Sequence, residues 1–593
     1  MSLTDLGTEV SATTIAEEWL GALDTALHAG GEADLAPLIA EQAIWRDLLG
    51  LQWDFSNGVG RQQIVDRLVR LVRSAKPHGL RLRADKDNSV LEEQLGELDT
   101  VVVFFEFDTE AGNVHGHARL IETPDGWQAT GLITVLDSIH GVPEAVGADR
   151  PVHKLHEAVA GREDWLEKRL ADREYTDRDP QVVVLGAGHS GLSVAARLTA
   201  LGVDTLLLER HERVGDNWRK RYSSLALHDP TVVDQLPYMP YPDTWPEYPS
   251  KDKFAGFLEY YAEALEINTW TSSQVTKAEF DAPNQRWNLT IERGDEQRVL
   301  HPRHFVIATG LNGIPRVPDF PGADAFTGTL VHSEHYRGGS QWKGKKVVVV
   351  GSAVSGHDIA QDLWEQGAEV TLVQRSSTYI VSMDTFQKAF WAGYLSGVHS
   401  NVEDVDLAGA GIPFSLLVPL LSPVTVAMAE TDRELIDGLH RAGFATNMGP
   451  TGGGAPELHY FAHDGYYYNV GASDLIIDGR IGLASGSGVK EITEDAVVLE
   501  NGTRLPAELI VLATGYGTIR EAAAAHFGER FVENVPAVYE VGDDGELSGV
   551  WRRSGQDGLW FMTGIIQEAR FYSKRLALQI AAIENGKMPY SNT

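Results

Sequence analysis

The period of the apolar positions changes along the chain and divides it. Near the N-terminus, apolar residues recur at three- and four-residue spacing over Ala16–Ala29 and Gln62–Arg73. That spacing predicts two amphipathic helices. Apolar and β-branched runs follow over Thr100–Phe107, His117–Glu122 and Trp127–Asp137, which predict consecutive strands. Helices first and strands after point to an α+β domain over residues 1–145. Residues 146–180 read as a connector. A helix is expected there over His156–Arg173, with Leu166 and Leu170 on one face, ended by Thr176-Asp-Arg-Asp-Pro180. From Gln181 the pattern becomes strand, turn, helix, repeated. The expected fold class is therefore α/β, with parallel sheets and crossover helices behind an N-terminal α+β domain.

Two of these units carry glycine-rich turns. The strand Val182–Leu185 runs into Gly186-Ala-Gly188-His-Ser190-Gly191, and a helix follows to Ala200. Gly186 permits the tight turn, Gly188 lets the backbone approach a pyrophosphate, and Gly191 lets helix pack on strand. The helix N-terminus offers free N–H groups and a positive dipole end to an anion. Glu209 ends the next strand, where a carboxylate can accept both ribose hydroxyls. The second unit runs from Val347–Val350 into Gly351-Ser352-Ala353-Val-Ser355-Gly356 and a helix over His357–Gln366. The Ala353 methyl should hold a pyrophosphate slightly further out, which suits a coenzyme that comes and goes. Arg375, followed by Ser376, stands where an acid would bind a free ribose. A guanidinium can fork onto a 2′-phosphate, so NADPH is expected over NADH. Between the two units lies Phe326-Thr-Gly328-Thr-Leu-Val-His332-Ser-Glu-His-Tyr336. Two similar strand ends, Ile307-Ala-Thr309-Gly310 and Leu512-Ala-Thr514-Gly515, flank the second unit.

In this order, over about residues 180–593, these features resemble the class B flavin-dependent monooxygenases. Tyr336 followed by Arg337 resembles the flavin-containing monooxygenase branch, since type I Baeyer–Villiger enzymes carry Trp in that place. The N-terminal stretch resembles the ketosteroid-isomerase-like cone of type II members, through Trp45-Arg46-Asp47, the Gly58–Gly60 turn and the terminal strands. The resemblance implies two Rossmann-like domains. A discontinuous FAD domain would occupy 181–336 and 508–593, and an NAD(P) domain 337–507, with an insertion at 380–470. It implies FAD at the first site, with Asn217, Trp218, Ser190, Val275, Thr309, Gly310 and Gln567 among its contacts. NADPH, or NADH as type II members often accept either, would lie by Gly351, Ser352, Ser355, Gly356, Arg375, Ser376 and Gly515. The implied reaction passes one oxygen atom of dioxygen to a small amine, sulfide or ketone through a C(4a)-hydroperoxyflavin. Leu227-His228 resembles the Leu-His pair of plant auxin-forming members, which keeps a keto-acid decarboxylating reaction open. His228 and Asn312 are the catalytic candidates. Phe326 is expected as an anchor between domains, Gly328 as a turn and His332 in a hydrogen-bonded structural role, with proton transfer as its alternative. An oxidase or reductase that transfers no oxygen is the other alternative.

Composition narrows this further. At 593 residues the chain exceeds one core, and three domains are expected. A net charge of −34 disfavours nucleic acid or an anionic membrane as partner. The chain has no cysteine, which excludes disulfides, thiolate metal sites and relays through paired thiols. No metal is expected. The opening Met-Ser-Leu-Thr-Asp-Leu-Gly-Thr-Glu lacks a signal-peptide pattern, so a cytoplasmic location is expected. Phe414–Ala429 is apolar but holds Pro419 and Pro423, and reads as a buried wall or loop rather than a membrane span. The insertion, with Tyr466-Tyr-Tyr468, is expected to wall the substrate pocket, with at least one of the three tyrosines pointing away. A homodimer is a further expectation.

Overall fold

The computed structural model describes residues 10–84, 88–96, 98–151, 158, 160–397, 401–462 and 465–591. The opening nine residues, read above for a signal peptide, lie outside this set. Ser11 caps the first helix, Ala12–Ala29, by accepting from the Thr14 N–H. The second long helix spans Arg61–Ala75. Both belong with a seven-stranded sheet that includes Leu98–Asp108, Gly112–Thr123 and Gly126–Ile139. Alternation sends Phe105 toward the helices, where it meets Trp19 edge-on at 6.5 Å.

The sheet also contacts the chain's closing helix, Ile566–Glu584. Polar anchors fix that contact. The Arg46 guanidinium pairs with Glu546 at 2.5 Å, and Lys574 pairs with Asp137 at 2.6 Å. Arg83 reaches Asp404 of the insertion, also at 2.5 Å.

The connector differs from expectation. Its helix spans Trp165–Glu174 and does not begin at His156. Residues 156, 157 and 159 lie outside the described set. Asp164 and Glu167 form a reciprocal capping box that sets the start. Leu166 and Leu170 share a face, but both are exposed.

Two five-stranded parallel sheets follow. The first runs Asn268–Trp270, Thr205–Leu208, Val182–Leu185, His304–Ile307, Leu559–Phe561. The second runs Thr329–His332, Leu509–Leu512, Lys346–Val350, Glu369–Gln374, Gly482–Ser485. The strands flanking both crossings belong to the second sheet. The chain therefore leaves the first domain earlier than 336 and returns later than 508. Ile314–Pro315 and Tyr516–Gly517 pair with each other as an antiparallel ribbon, so the outgoing and returning segments cross together.

One residue of the 326–336 motif takes another place than expected. Phe326 packs against the small core of the second domain, among Leu330, Ile492 and Ile510, rather than between domains. Gly328 is required by closeness: a Cβ there would lie 2.5 Å from the Glu508 carbonyl oxygen. Tyr336 is buried and donates to Asp362 at 2.5 Å.

The apolar stretch from Phe414 is one helix, Phe414–Thr431, with Pro419 and Pro423 inside it. It is a helix rather than a loop, and most of its length is not a buried wall. Only 17% of its 18 residues are buried, at a mean hydropathy of 1.5, and among described helices it alone is long and apolar enough to cross a membrane. Leu420 and Val426 are exposed.

Candidate active site

One cavity of about 1760 Å³ connects the two glycine-rich turns with the insertion. A single small-molecule pocket takes roughly 300–1,000 Å³. The larger volume suits two nucleotides and a substrate.

The two nucleotide turns repeat one construction. Gly186 has φ +108, and a Cβ on it would lie 2.6 Å from the Ala308 carbonyl oxygen. In the second turn Gly351 has φ +114, and its Cβ would lie 2.2 Å from the Ala513 oxygen. The Ala-Thr-Gly ends thus press on the first glycine of each turn, and only glycine fits beneath them. The last glycines, Gly191 and Gly356, would place Cβ atoms 1.9 Å and 2.0 Å from the carbonyls of Gly186 and Gly351. Neither following helix, His189–Ala200 nor Val354–Glu365, has a side-chain cap. Their first N–H groups are left for a ligand.

Around the first turn the residues fit FAD. Glu209 is buried and accepts from the N–H groups of Ala187 and His211 at 3.1 and 2.9 Å. Burial raises its pKa, and these two bonds oppose the rise. Gly188, Ser190, Asn217 and Trp218 line the same cavity, as do Val275, Thr309, Gly310 and Gln567. The Trp218 indole packs edge-on against Phe254 at 5.1 Å, and its buried N–H has no partner. An orphaned donor in a cavity wall is what a bound acceptor would satisfy.

The second turn fits a nicotinamide nucleotide less completely. Ser355 lines the cavity, whereas Gly351, Ser352, Gly356, Arg375, Ser376 and Gly515 do not. The Ser352 hydroxyl is bound to that of Thr378 at 2.7 Å. Gly515 accepts from His332 Nε2 at 3.2 Å through its carbonyl. Gly465 covers the Ala353 methyl, and a Cβ there would lie 2.6 Å from it. That methyl is packed by the chain itself. Arg375 is exposed at the strand end, with no ion pair or hydrogen bond among the described residues.

His228 lies at the seam between the domains. Its Nε2 is 3.6 Å from Asp358 of the second nucleotide helix. Burial alone would lower the His228 pKa, but bonding to Asp358 and the charges of Asp358 and Asp229 outweigh it and raise the value. Tyr222 donates to the same Asp358 carboxylate at 2.6 Å. Asn312 also lines the cavity but is exposed. His332 caps a short turn by accepting from the Glu334 N–H at 3.2 Å, which is structural.

The insertion supplies an aromatic chamber. Tyr466 and Tyr468 line it, while Tyr467 points away and stacks on His357 at 4.1 Å. Trp391, Tyr394 and Phe414 add further wall. Sequence reasoning missed the polar residues here. Asp234 is buried, at 3% exposure, near the charge of Arg570. Trp391 donates to Asp229 at 3.1 Å. Arg570 forks onto Asp406, both bonds at 2.7 Å. None of them has a local motif, because their partners lie far away in sequence.

A family model described as pyridine nucleotide-disulphide oxidoreductase matches residues 183–389. Indole-3-pyruvate monooxygenase YUCCA1 of Oryza sativa subsp. japonica is 36% identical over 409 residues, covering 68% of this chain and 90% of that protein. The chain belongs to the class B flavin-dependent monooxygenases. The probable YUCCA4 enzyme of Arabidopsis thaliana is 34% identical over 344 residues, covering 57% of this monooxygenase and 75% of its own chain. Two solved structures share the fold. Cyclohexanone monooxygenase with bound ε-caprolactone superposes with a TM-score of 0.51 at 15% identity, over 69% of this chain and 88% of that one. Steroid monooxygenase bound to NADP superposes with a TM-score of 0.51 at 19% identity, over 68% and 85%. This monooxygenase is an oxidoreductase that works with FAD and a nicotinamide coenzyme. With no cysteine in the chain, the disulfide chemistry in the matched model's description has no residues to run on.

Proposed function

We propose that this monooxygenase oxygenates an uncharged or cationic aromatic amine, sulfide or ketone in the chamber beside Gln567, using NADPH. The charge inventory of that chamber carries the reading. Arg46, which lines the chamber, is neutralised by Glu546, and the buried Arg570 of the closing helix is neutralised by Asp406. Asp234 is buried without a counterion in contact. A carboxylate entering beside Asp234 would be brought close to a buried acid, which is costly in a low-dielectric site.

When bound, FAD and NADPH supply the electrons that reduce dioxygen, so that one oxygen atom reaches the substrate and the other leaves as water. The chain's own residues bind, orient and keep the site dry. Glu209 and the open helix end take the ribose and pyrophosphate of FAD. Arg375 takes the 2′-phosphate of the coenzyme. His228, held by Asp358, keeps a proton at Nε2 where the two domains meet, and Asn312 offers an amide. The aromatic walls exclude water, which protects the reaction from release of hydrogen peroxide.

A second reading, decarboxylating oxygenation of a keto acid, is favoured by Leu227-His228 and by the similarity to the rice indole-3-pyruvate monooxygenase. The test is product analysis under isotopically labelled dioxygen, with an aryl sulfide, an aryl ketone and an aryl 2-keto acid side by side. Label in the sulfoxide or ester is the expected result. Turnover of the keto acid alone supports the second reading. A cytoplasmic homodimer with an N-terminal cone-fold domain belongs to the same proposal, and light scattering on the purified holoenzyme checks the dimer.

A further inference from the structure

Glu568 lies in the first turn of the closing helix, one residue past Gln567, and is 5% exposed. It accepts from the Ile565 N–H at 3.0 Å, the Tyr539 hydroxyl at 2.7 Å and the Tyr460 hydroxyl at 2.8 Å. The bonding does not stop there. Tyr539 Oη lies 3.1 Å from His459 Nε2, and His459 Nδ1 lies 3.3 Å from Tyr466 Oη. Tyr466 packs on Tyr468 at 5.2 Å, and Tyr468 meets the edge of His228 at 6.5 Å. The series therefore runs along the chamber wall from the closing helix to the neighbourhood of His228.

We propose that Glu568, Tyr539, His459 and Tyr466 form a proton wire that loads at Glu568 and discharges at the Tyr466 hydroxyl. It rests on the monooxygenase reading of the chamber. Hydroxyls and imidazole each donate and accept, so every link can take one proton and pass one on. With Glu568 ionised, each donor points toward it: Tyr466 to His459, His459 to Tyr539, Tyr539 to Glu568. With Glu568 protonated, the series reverses. Glu568 donates to Tyr539, Tyr539 to His459 Nε2, His459 Nδ1–H to Tyr466, and Tyr466 points its proton into the chamber.

Turnover needs such a delivery. The balance is substrate plus O₂ plus NADPH plus H⁺, giving oxygenated substrate, H₂O and NADP⁺. The bond broken is Glu568 Oε–H, and the bond formed is O–H on the oxygen that leaves as water. Between turnovers, before bound coenzymes and substrate exclude water, solvent in the cavity that Glu568 lines reloads it.

The surroundings suit a carboxyl that changes state near neutrality. Burial raises its pKa to about 7, against the Tyr539 and Tyr460 hydroxyls, the Ile565 N–H and the Arg46 charge, which lower it. The facing groups come from every packed element. The insertion gives Tyr460 and His459, and the stretch before the final strand gives Tyr539. The N-terminal domain gives Arg46 with its partner Glu546, and the closing helix gives Tyr572.

Two conservative variants test the wire in the FAD-loaded full chain. Glu568→Gln keeps the shape of the helix cap, and Tyr539→Phe cuts the wire in the middle. In infrared difference spectra against pH, the wild type should show a protonated-carboxyl band that disappears near neutrality and is missing in Glu568→Gln. Tyr539→Phe should retain that band, yet lose about 100-fold in kcat. It should release more hydrogen peroxide per NADPH and recover part of the rate with added imidazole. If no carboxyl titrates near neutrality, or if Tyr539→Phe keeps the wild-type rate and pH profile, the wire is wrong. A wild type that binds FAD but never oxygenates a substrate would overturn the monooxygenase reading instead, and the infrared titration still judges the wire.

Discussion

Arg46 ties the N-terminal domain to the flavin module, and its removal has a calculable consequence. The guanidinium gives Nε to Glu546 at 2.9 Å, Nη2 to the same carboxylate at 2.5 Å, and Nη1 to the Ala410 carbonyl at 2.7 Å and the Tyr572 hydroxyl at 3.0 Å. Both charges are buried, at 1% and 0% exposure. In Arg46→Ala, Glu546 would keep Asn57 as its side-chain donor at 3.2 Å, with no counterion. Removing one partner of a buried pair costs about 3–5 kcal/mol, whereas replacing both by apolar residues of like size is near neutral. At 1.4 kcal/mol per decade, the interface should open roughly 10²–10⁴ times more often. Hydrogen-exchange mass spectrometry reads this directly on peptides covering 39–48 and 544–548. Arg46→Ala should exchange faster there by that factor, while Arg46→Met with Glu546→Leu should exchange at nearly the wild-type rate. An increase below tenfold in the single variant, or a double variant as labile as the single, would refute the argument that this pair holds the interface.

Other expected outcomes follow the same logic. Arg375→Ala should weaken NADPH use by about 1.5–3 kcal/mol while sparing NADH, as for one lost charged hydrogen bond. Steady-state kinetics with both coenzymes check this, and equal loss with both contradicts the assignment. Asp358→Asn removes the main contribution that raises the His228 pKa, so burial is then opposed by the Asp229 charge and the value falls. In the wild type, the charged His228–Asp358 pair is complete below the ordinary histidine pKa and is lost as pH rises through the raised one. In the variant His228 should lose its proton at lower pH. Histidine NMR titration measures the midpoint, and an upward movement would sink the reading. His228→Ala should raise peroxide release without abolishing coenzyme oxidation, and unchanged coupling counts against it.

Much of the architecture was legible because it is local. Both glycine turns announce themselves within a few residues, since a tight turn, a close helix and an open helix end each demand glycine or a small residue in fixed order. The strands of both nucleotide sheets read as short apolar runs for the same reason. What could not be read was pairing at a distance. The resemblance implies crossings at 336 and 508, yet Thr329–His332 and Leu509–Leu512 join the second sheet, which no local pattern reveals. Phe414–Ala429, with its two prolines, reads as a wall or loop, but a helix over Phe414–Thr431 persists through both prolines. The polar chamber was least visible. Glu568 belongs to no sequence motif, and its meaning comes from Tyr539, Tyr460 and His459, which converge on it only in three dimensions.

Tyr222 carries a consequence for motion. It comes from the flavin-side segment, yet it is packed in the core of the second domain beside Tyr336, with ring centres 6.3 Å apart. Withdrawing a tyrosine exposes roughly 150–250 Å², at about 4–6 kcal/mol by area alone. Fewer than about one molecule in a thousand would have it out at any instant. Swings of the second domain that keep Tyr222 seated are cheap, and separations that unseat it are rare. The coenzyme can thus be turned toward and away from the flavin many times for each occasion on which the two domains part company.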